Sequence, residues 1–110
     1  MRPLVPVAPR VRHALNDLAT RFAARDVRVF LFGSAAPSWP LVPAHADLDI
    51  GYEIGASDPA QRARLRRELL TALELLPTVR PVDAVDFDSV APEFAAAARS
   101  GARLLPDEHA

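Results

Sequence analysis

Asp47 and Asp49 stand two residues apart in the apolar stretch ADLDIGYEI, residues 46–54. On a strand, residues two apart share a face. The two carboxylates then project together, with about 7 Å between their Cα atoms, while Leu48 and Ile50 point the other way, into a core. Like charges side by side raise each other's pKa unless a cation lies between them. A hard divalent cation such as Mg²⁺ suits the position, because it takes carboxylate oxygens and keeps several waters. The plain alternative is a solvated edge strand whose outer face carries Asp47, Asp49 and Tyr52. A D-x-D on its own favours that alternative.

The context shifts the balance. A third acid, Asp83, lies in the apolar run PVDAVDF, residues 81–87. Upstream, FLFGS runs an apolar strand into Gly33 and Ser34. Backbone N–H groups at such a turn can cradle phosphate, and glycine permits close approach. A phosphate-binding turn with three carboxylates on neighbouring strands is what two-metal phosphoryl chemistry needs. One ion activates the attacking oxygen, and the other, roughly 3.5–4 Å away, neutralises the leaving group.

The elements that must hold these residues follow from periodicity. Residues 1–9 are Pro-rich and read as an extended lead-in. From Pro9, Val11, Ala14, Leu15, Leu18, Phe22 and Ala23 recur at helical spacing, an amphipathic helix of about four turns. Residues 27–32 form a buried strand, rich in β-branched and aromatic side chains. Residues 35–46, with three prolines and Trp39, read as a loop. Strand 46–54 follows. Ser57 or Asp58 caps the next helix and Pro59 opens it. Leu65, Leu69, Leu73 and Leu76 form its buried stripe, and Pro77 ends it. Residues 78–87 are the third strand. Residues 89–101 form a short helix stopped by Gly101, with Asp88 and Ser89 read as its caps, and residues 102–105 are a last extended piece. This order predicts an α+β fold in one domain, residues 1–110, with a small mixed β-sheet backed by helices.

The bulk properties bound the function. The chain has 110 residues, half of them hydrophobic, enough for a core without staples. A net charge of -1 excludes a general nucleic-acid or membrane-surface binder. All 13 basic residues are Arg. The absence of Cys removes disulfides, zinc thiolates and thiol catalysis. No apolar run reaches 18 residues, so no membrane span is expected. The N-terminus does not read as a signal peptide, and the expected location is cytoplasmic.

LFGSAA, then ADLDI, then PVDAVDF together resemble the polymerase-β-type nucleotidyltransferase superfamily. More narrowly they resemble the minimal nucleotidyltransferases, whose pattern is G-S-x-A-R-G, S-D-I-D-L and V-D-L-V. The likeness spans about residues 27–90. The tail AAARSGARLL is similar to the family's usual ending. The resemblance implies a polymerase-β-type nucleotidyltransferase core. It implies Gly33 and Ser34 as the triphosphate-binding turn, Asp47 and Asp49 as ligands of two Mg²⁺ ions, and Asp83 as third carboxylate and base. Asp83 is preferred to Asp86 because V-D-A-V aligns with V-D-L-V and Asp86 falls on the opposite strand face. The implied activity is transfer of AMP from ATP onto a hydroxyl of a partner protein. The implied partner is a HEPN-family ribonuclease toxin, with this chain its antitoxin and nucleic acid met only through the partner. Homo- and hetero-oligomers are both open.

The chain departs from that pattern where Pro37-Ser38 replaces Arg-Gly and His45-Ala46 replaces the Ser before the first Asp. A module that inhibits its partner by binding alone is the alternative, and a small-molecule nucleotidyltransferase a third reading. Smaller signals carry two readings each. Trp39 stacks on a base or anchors its loop. His45 touches phosphate or is solvated. Arg62, Arg64, Arg66 and Arg67 meet an acidic partner or RNA, or are a solvated helix face. The leucines of 69–76 span more than one stripe, which leaves some exposed as an interface.

Overall fold

A computed structural model describes residues 3–107. Its elements are β1 (Leu4–Pro6), α1 (Pro9–Ala23), β2 (Val27–Phe32), a 3₁₀ turn (Gly33–Ala35), β3 (Leu41–Pro43), β4 (Leu48–Ile54), α2 (Pro59–Glu74), β5 (Val82–Asp86), α3 (Pro92–Ser100) and β6 (Arg103–Leu105). The main sheet runs β5-β4-β2-β6. Strand β4 pairs parallel with β5 and antiparallel with β2, and β6 pairs antiparallel with β2. This is the mixed α+β architecture expected.

Strand β4 is central, which removes the edge-strand alternative. Alternation along it is clean. Leu48, Ile50, Tyr52 and Ile54 are buried and belong to the core cluster, which also takes Val11, Leu15, Leu18 and Phe22 of α1 and Leu65, Leu69 and Leu73 of α2. Tyr52 therefore faces the helices, not the outer face with the acids. Leu15, Leu48, Ile50 and Leu69 are wholly buried. Each such side chain contributes about 1.5–3 kcal/mol of transfer free energy. Asp58 caps α2 by accepting from the Gln61 N–H at 2.9 Å, and Pro59 sits in the first turn. Helix α1 opens on Pro9 with no side-chain cap.

Two expectations are corrected, and one open choice, that of Trp39, is decided. The lead-in and the loop both contain a strand: β1 pairs antiparallel with β3, Val5 opposite Val42. Two three-residue strands carry too little periodicity to register in sequence. Trp39 is only 4% exposed, so it anchors its loop in the core and is closed to a base. Asp88 and Ser89 do not cap α3, whose N-cap is Ala91 without a side-chain bond. Instead Asp88 accepts from the Ile54 N–H and pairs with Arg62 at 3.5 Å, and the Ser89 hydroxyl donates to Asp86 at 3.0 Å. Both side chains tie the β5–α3 connection to the sheet, a tertiary role that local sequence does not encode.

Helix α3 lies against the opposite face of the sheet. Its Phe94 meets Phe32, and Arg99 donates to Glu53 at 2.7 Å. Among the described residues no helix is long and apolar enough to cross a membrane.

Candidate functional site

Asp47 immediately precedes β4, outside the ladder, and is exposed. Asp49 is on the strand and half-buried, with Phe32 its partner on β2 and Asp83 its partner on β5. Residues directly opposite in a ladder share a face. Asp49 and Asp83 therefore stand side by side on the face away from α1 and α2, and Asp83 is exposed. Asp86 lies opposite Tyr52, on the helix face, where Arg66 of α2 donates to it at 3.1 Å.

The Gly33 turn closes on the same point. Gly33 has φ +68°, and a Cβ there would fall 2.3 Å from the Asp49 Oδ2. Glycine is required twice over, for the left-handed backbone and for the approach to the carboxylate. The exposed Ser34 follows, and the turn is closed by the Ala36 N–H on the Gly33 carbonyl at 3.2 Å. The structure thus brings Gly33, Asp49 and Asp83 together, with Asp47 two residues from Asp49.

The electrostatics set these acids apart. None of Asp47, Asp49 and Asp83 is hydrogen-bonded to, or ion-paired with, a described residue. Glu53 meets Arg28 and Arg99, Asp86 meets Arg66, and Asp88 meets Arg62. Partial burial pushes the Asp49 carboxyl above its ordinary value, and the charges of Asp83 and then Asp47 push it the same way. A cation between these groups relieves all three effects. Oxygen-only donors on an exposed sheet end fit a hydrated Mg²⁺ better than a closed cage. Among the described residues no group of three Asp, Glu, His or Cys side chains is already placed to hold a metal ion, so the ladder pair Asp49 and Asp83 is the part of the set that the fold brings side by side.

Two arginines that sequence reasoning passed over hold the site's frame. Arg80 donates to the carbonyls of Ala46 at 2.8 Å and Pro43 at 3.3 Å, which fixes the chain entering Asp47. Arg103 of β6 donates to the carbonyls of Ala36 and Pro37 and ties down the end of the Gly33 turn. No local motif marks either. Of the basic cluster on α2, Arg62 and Arg66 are internal ties, Arg62 to the Ile54 and Ala56 carbonyls and Arg66 to Asp86. Arg64 and Arg67 are exposed, as is His45.

Two cavities lie elsewhere. One of about 840 Å³ opens between α1 and α2, lined by Leu18, Phe22, Arg67 and Leu75. One of about 370 Å³ sits near Asp26, Arg28 and Asp88. Neither includes the three acids. The carboxylates occupy an open sheet end, which suits a ligand wrapped by metal and turn more than one buried in a pit.

No family model matches the sequence, and no curated protein does. Solved structures do match by shape. A chain of a doubly substituted mutant of the toxin–antitoxin MntA–HpeT is similar with a TM-score of 0.53 and 20% identity, over 86% of this chain and 71% of that one. A chain of a toxin–antitoxin structure with AMP-PNP gives a TM-score of 0.52 and 22% identity, over 86% of this chain and 71% of that one. A chain of a singly substituted MntA–HpeT mutant gives 0.51 and 23%, over 84% and 69%. The chain shares their fold.

Proposed function

We propose that this protein is a Mg²⁺-dependent nucleotidyltransferase that moves AMP from ATP onto a hydroxyl of a partner protein, and that it serves as the antitoxin of a HEPN ribonuclease toxin. One observation carries the reading: an unpaired Asp49 sits between Asp83, its ladder partner, and the Gly33 turn. Support for the partner comes from the fold shared with chains of toxin–antitoxin structures, one of them holding AMP-PNP.

Each group then has a task. The Gly33–Ser34 turn receives the triphosphate through backbone N–H groups and the Ser34 hydroxyl. Asp47 and Asp49, with Asp83 beside them, would hold two Mg²⁺ ions, which supply charge neutralisation at the reacting phosphate. Asp83 accepts the proton of the acceptor hydroxyl. The hydroxyl oxygen attacks the α-phosphorus in line, the bond from that phosphorus to the bridging oxygen breaks, and pyrophosphate leaves. The open sheet end leaves room for a protein-borne hydroxyl to reach the phosphate.

The test is a transfer assay with α-labelled ATP, Mg²⁺ and the protein encoded beside this one, run with wild type and the Asp47→Ala/Asp49→Ala variant. Label on the neighbour that disappears in the variant supports transfer. A stable complex with both versions and no label replaces it with the binding-only module, the reading favoured by Pro37-Ser38 standing in place of Arg-Gly.

A further inference from the structure

The face that carries Asp49 also carries a group of aromatic rings. Phe30 and Phe32 of β2 share it, because they alternate with the buried Val29 and Leu31. Phe32 lies directly opposite Asp49 in the ladder. Phe87, just after β5, sits over Gly51 so closely that a Cβ there would fall 2.0 Å from its ring. Its ring meets Phe32 edge-on at 5.5 Å and Phe30 at 5.7 Å, and Arg99 lies over it at 5.3 Å. Phe94 of α3 completes the group, edge-on to Phe32 at 6.3 Å.

These rings differ in exposure. Phe32, Phe87, Trp39 and Tyr52 are buried, whereas Phe94 is 48% exposed. Phe94 is backed by fixed rings, open to solvent, and one ring away from the strand position facing Asp49. Trp39, the ring that the sequence offered for stacking, is enclosed in the core.

We propose that Phe94, backed by Phe32 and Phe87, is the stacking platform for the base of the bound nucleotide. This deepens the nucleotidyltransferase reading and rests on it. Phosphates held at the Gly33 turn and the carboxylates leave the ribose and base to extend over the same face, where the aromatic group begins. A nucleobase fits this surface better than an aliphatic side chain, because a flat π-face gains from offset or edge contact with rings already locked in place. Every base has such a face, so stacking here tolerates different bases.

The experiment is calorimetric titration, in Mg²⁺, of ATP and of inorganic tripolyphosphate into wild type, Phe94→Ala and Phe94→Tyr. The expected result is that Phe94→Ala weakens ATP about 5- to 150-fold, leaves tripolyphosphate unchanged, and is rescued by Phe94→Tyr. Equal ATP affinity in wild type and Phe94→Ala overturns the platform and leaves the transferase reading standing. That holds also if the substitution instead breaks the complex with the partner, which would make Phe94 a protein contact. Equal losses for ATP and tripolyphosphate overturn it too, because the defect would then lie at the phosphates. A wild type that binds neither ligand overturns the transferase reading and the platform together.

Discussion

Asp49 sits where a carboxylate charge is costly to the fold. It is partly buried, faces Asp83 across the ladder, and has no described cation to meet it. Like charges directly opposite on a sheet destabilise by a few tenths to about 1 kcal/mol. Asp49→Asn is therefore expected to raise the Mg²⁺-free melting temperature by a few degrees, read by calorimetry, while abolishing AMP transfer. A variant that is both less stable and inactive would mean that the carboxylate is structural. Gly33 is the complementary case. Gly33→Ala places a side chain at φ +68°, which costs about 1–2 kcal/mol. Its Cβ also displaces the mobile end of Asp49. The expected outcome is a modest loss of stability with near-complete loss of Mg²⁺-dependent ATP binding, measured by denaturation and titration on the same sample.

At the scale of elements, β4 serves two faces through strict alternation. Its helix-side residue Tyr52 is held neutral: burial pushes its phenol up, Asp86 adds to this, and Arg66 partly offsets it. The folded pKa lies above the ordinary 10.0, so the native state keeps a proton that the unfolded chain has already lost. The contribution of Tyr52 to stability is fully present below pH 10.0 and is lost as pH rises through the folded value. Tyr52→Phe is expected to flatten that alkaline decline, seen as a smaller drop in denaturation midpoint above pH 10.0 than in wild type. On the other face Gly51 makes room for Phe87. Gly51→Ala forces the ring off the sheet at about 1–3 kcal/mol, typical of overpacking, and should loosen α3, detected as faster amide exchange across residues 92–100.

At the scale of the whole molecule, the sheet brings together segments far apart in the chain. Strand β6 closes on β2, β1 clips onto β3, and the Asn16 side chain bonds both the N–H and the carbonyl of Asp107. A ligand bound across the turn, β4 and β5 therefore stabilises the entire fold. At ATP about 100-fold above its dissociation constant with Mg²⁺, a gain of about 2.7 kcal/mol is expected. For a chain of this size that is a rise of about 10 °C in melting temperature. EDTA should remove it, and Asp47→Ala/Asp49→Ala should never show it. The exposed end of α2, with Leu75 at 77%, agrees with the expectation that the leucine run overflows its stripe.

The sequence by itself indicated three helices and strands over residues 27–32, 46–54 and 78–87, because each writes a local period of 3.6 or 2 and is bounded by Pro, Gly or Asp; the structure trims the last two to Leu48–Ile54 and Val82–Asp86. It also singled out Gly33, Asp47, Asp49 and Asp83, since polar residues at fixed spacing in apolar strands are visible without coordinates. Only the tertiary structure decided that β4 is central, that Asp83 lies opposite Asp49 while Asp86 meets Arg66, and that Trp39 is buried while Phe94 is open. Register and strand order arise from contacts between residues distant in the chain, and no local pattern carries them. Arg80 and Arg103 belong to the same class: each bonds backbone carbonyls 34 or more residues away, so their roles exist only once the chain has closed.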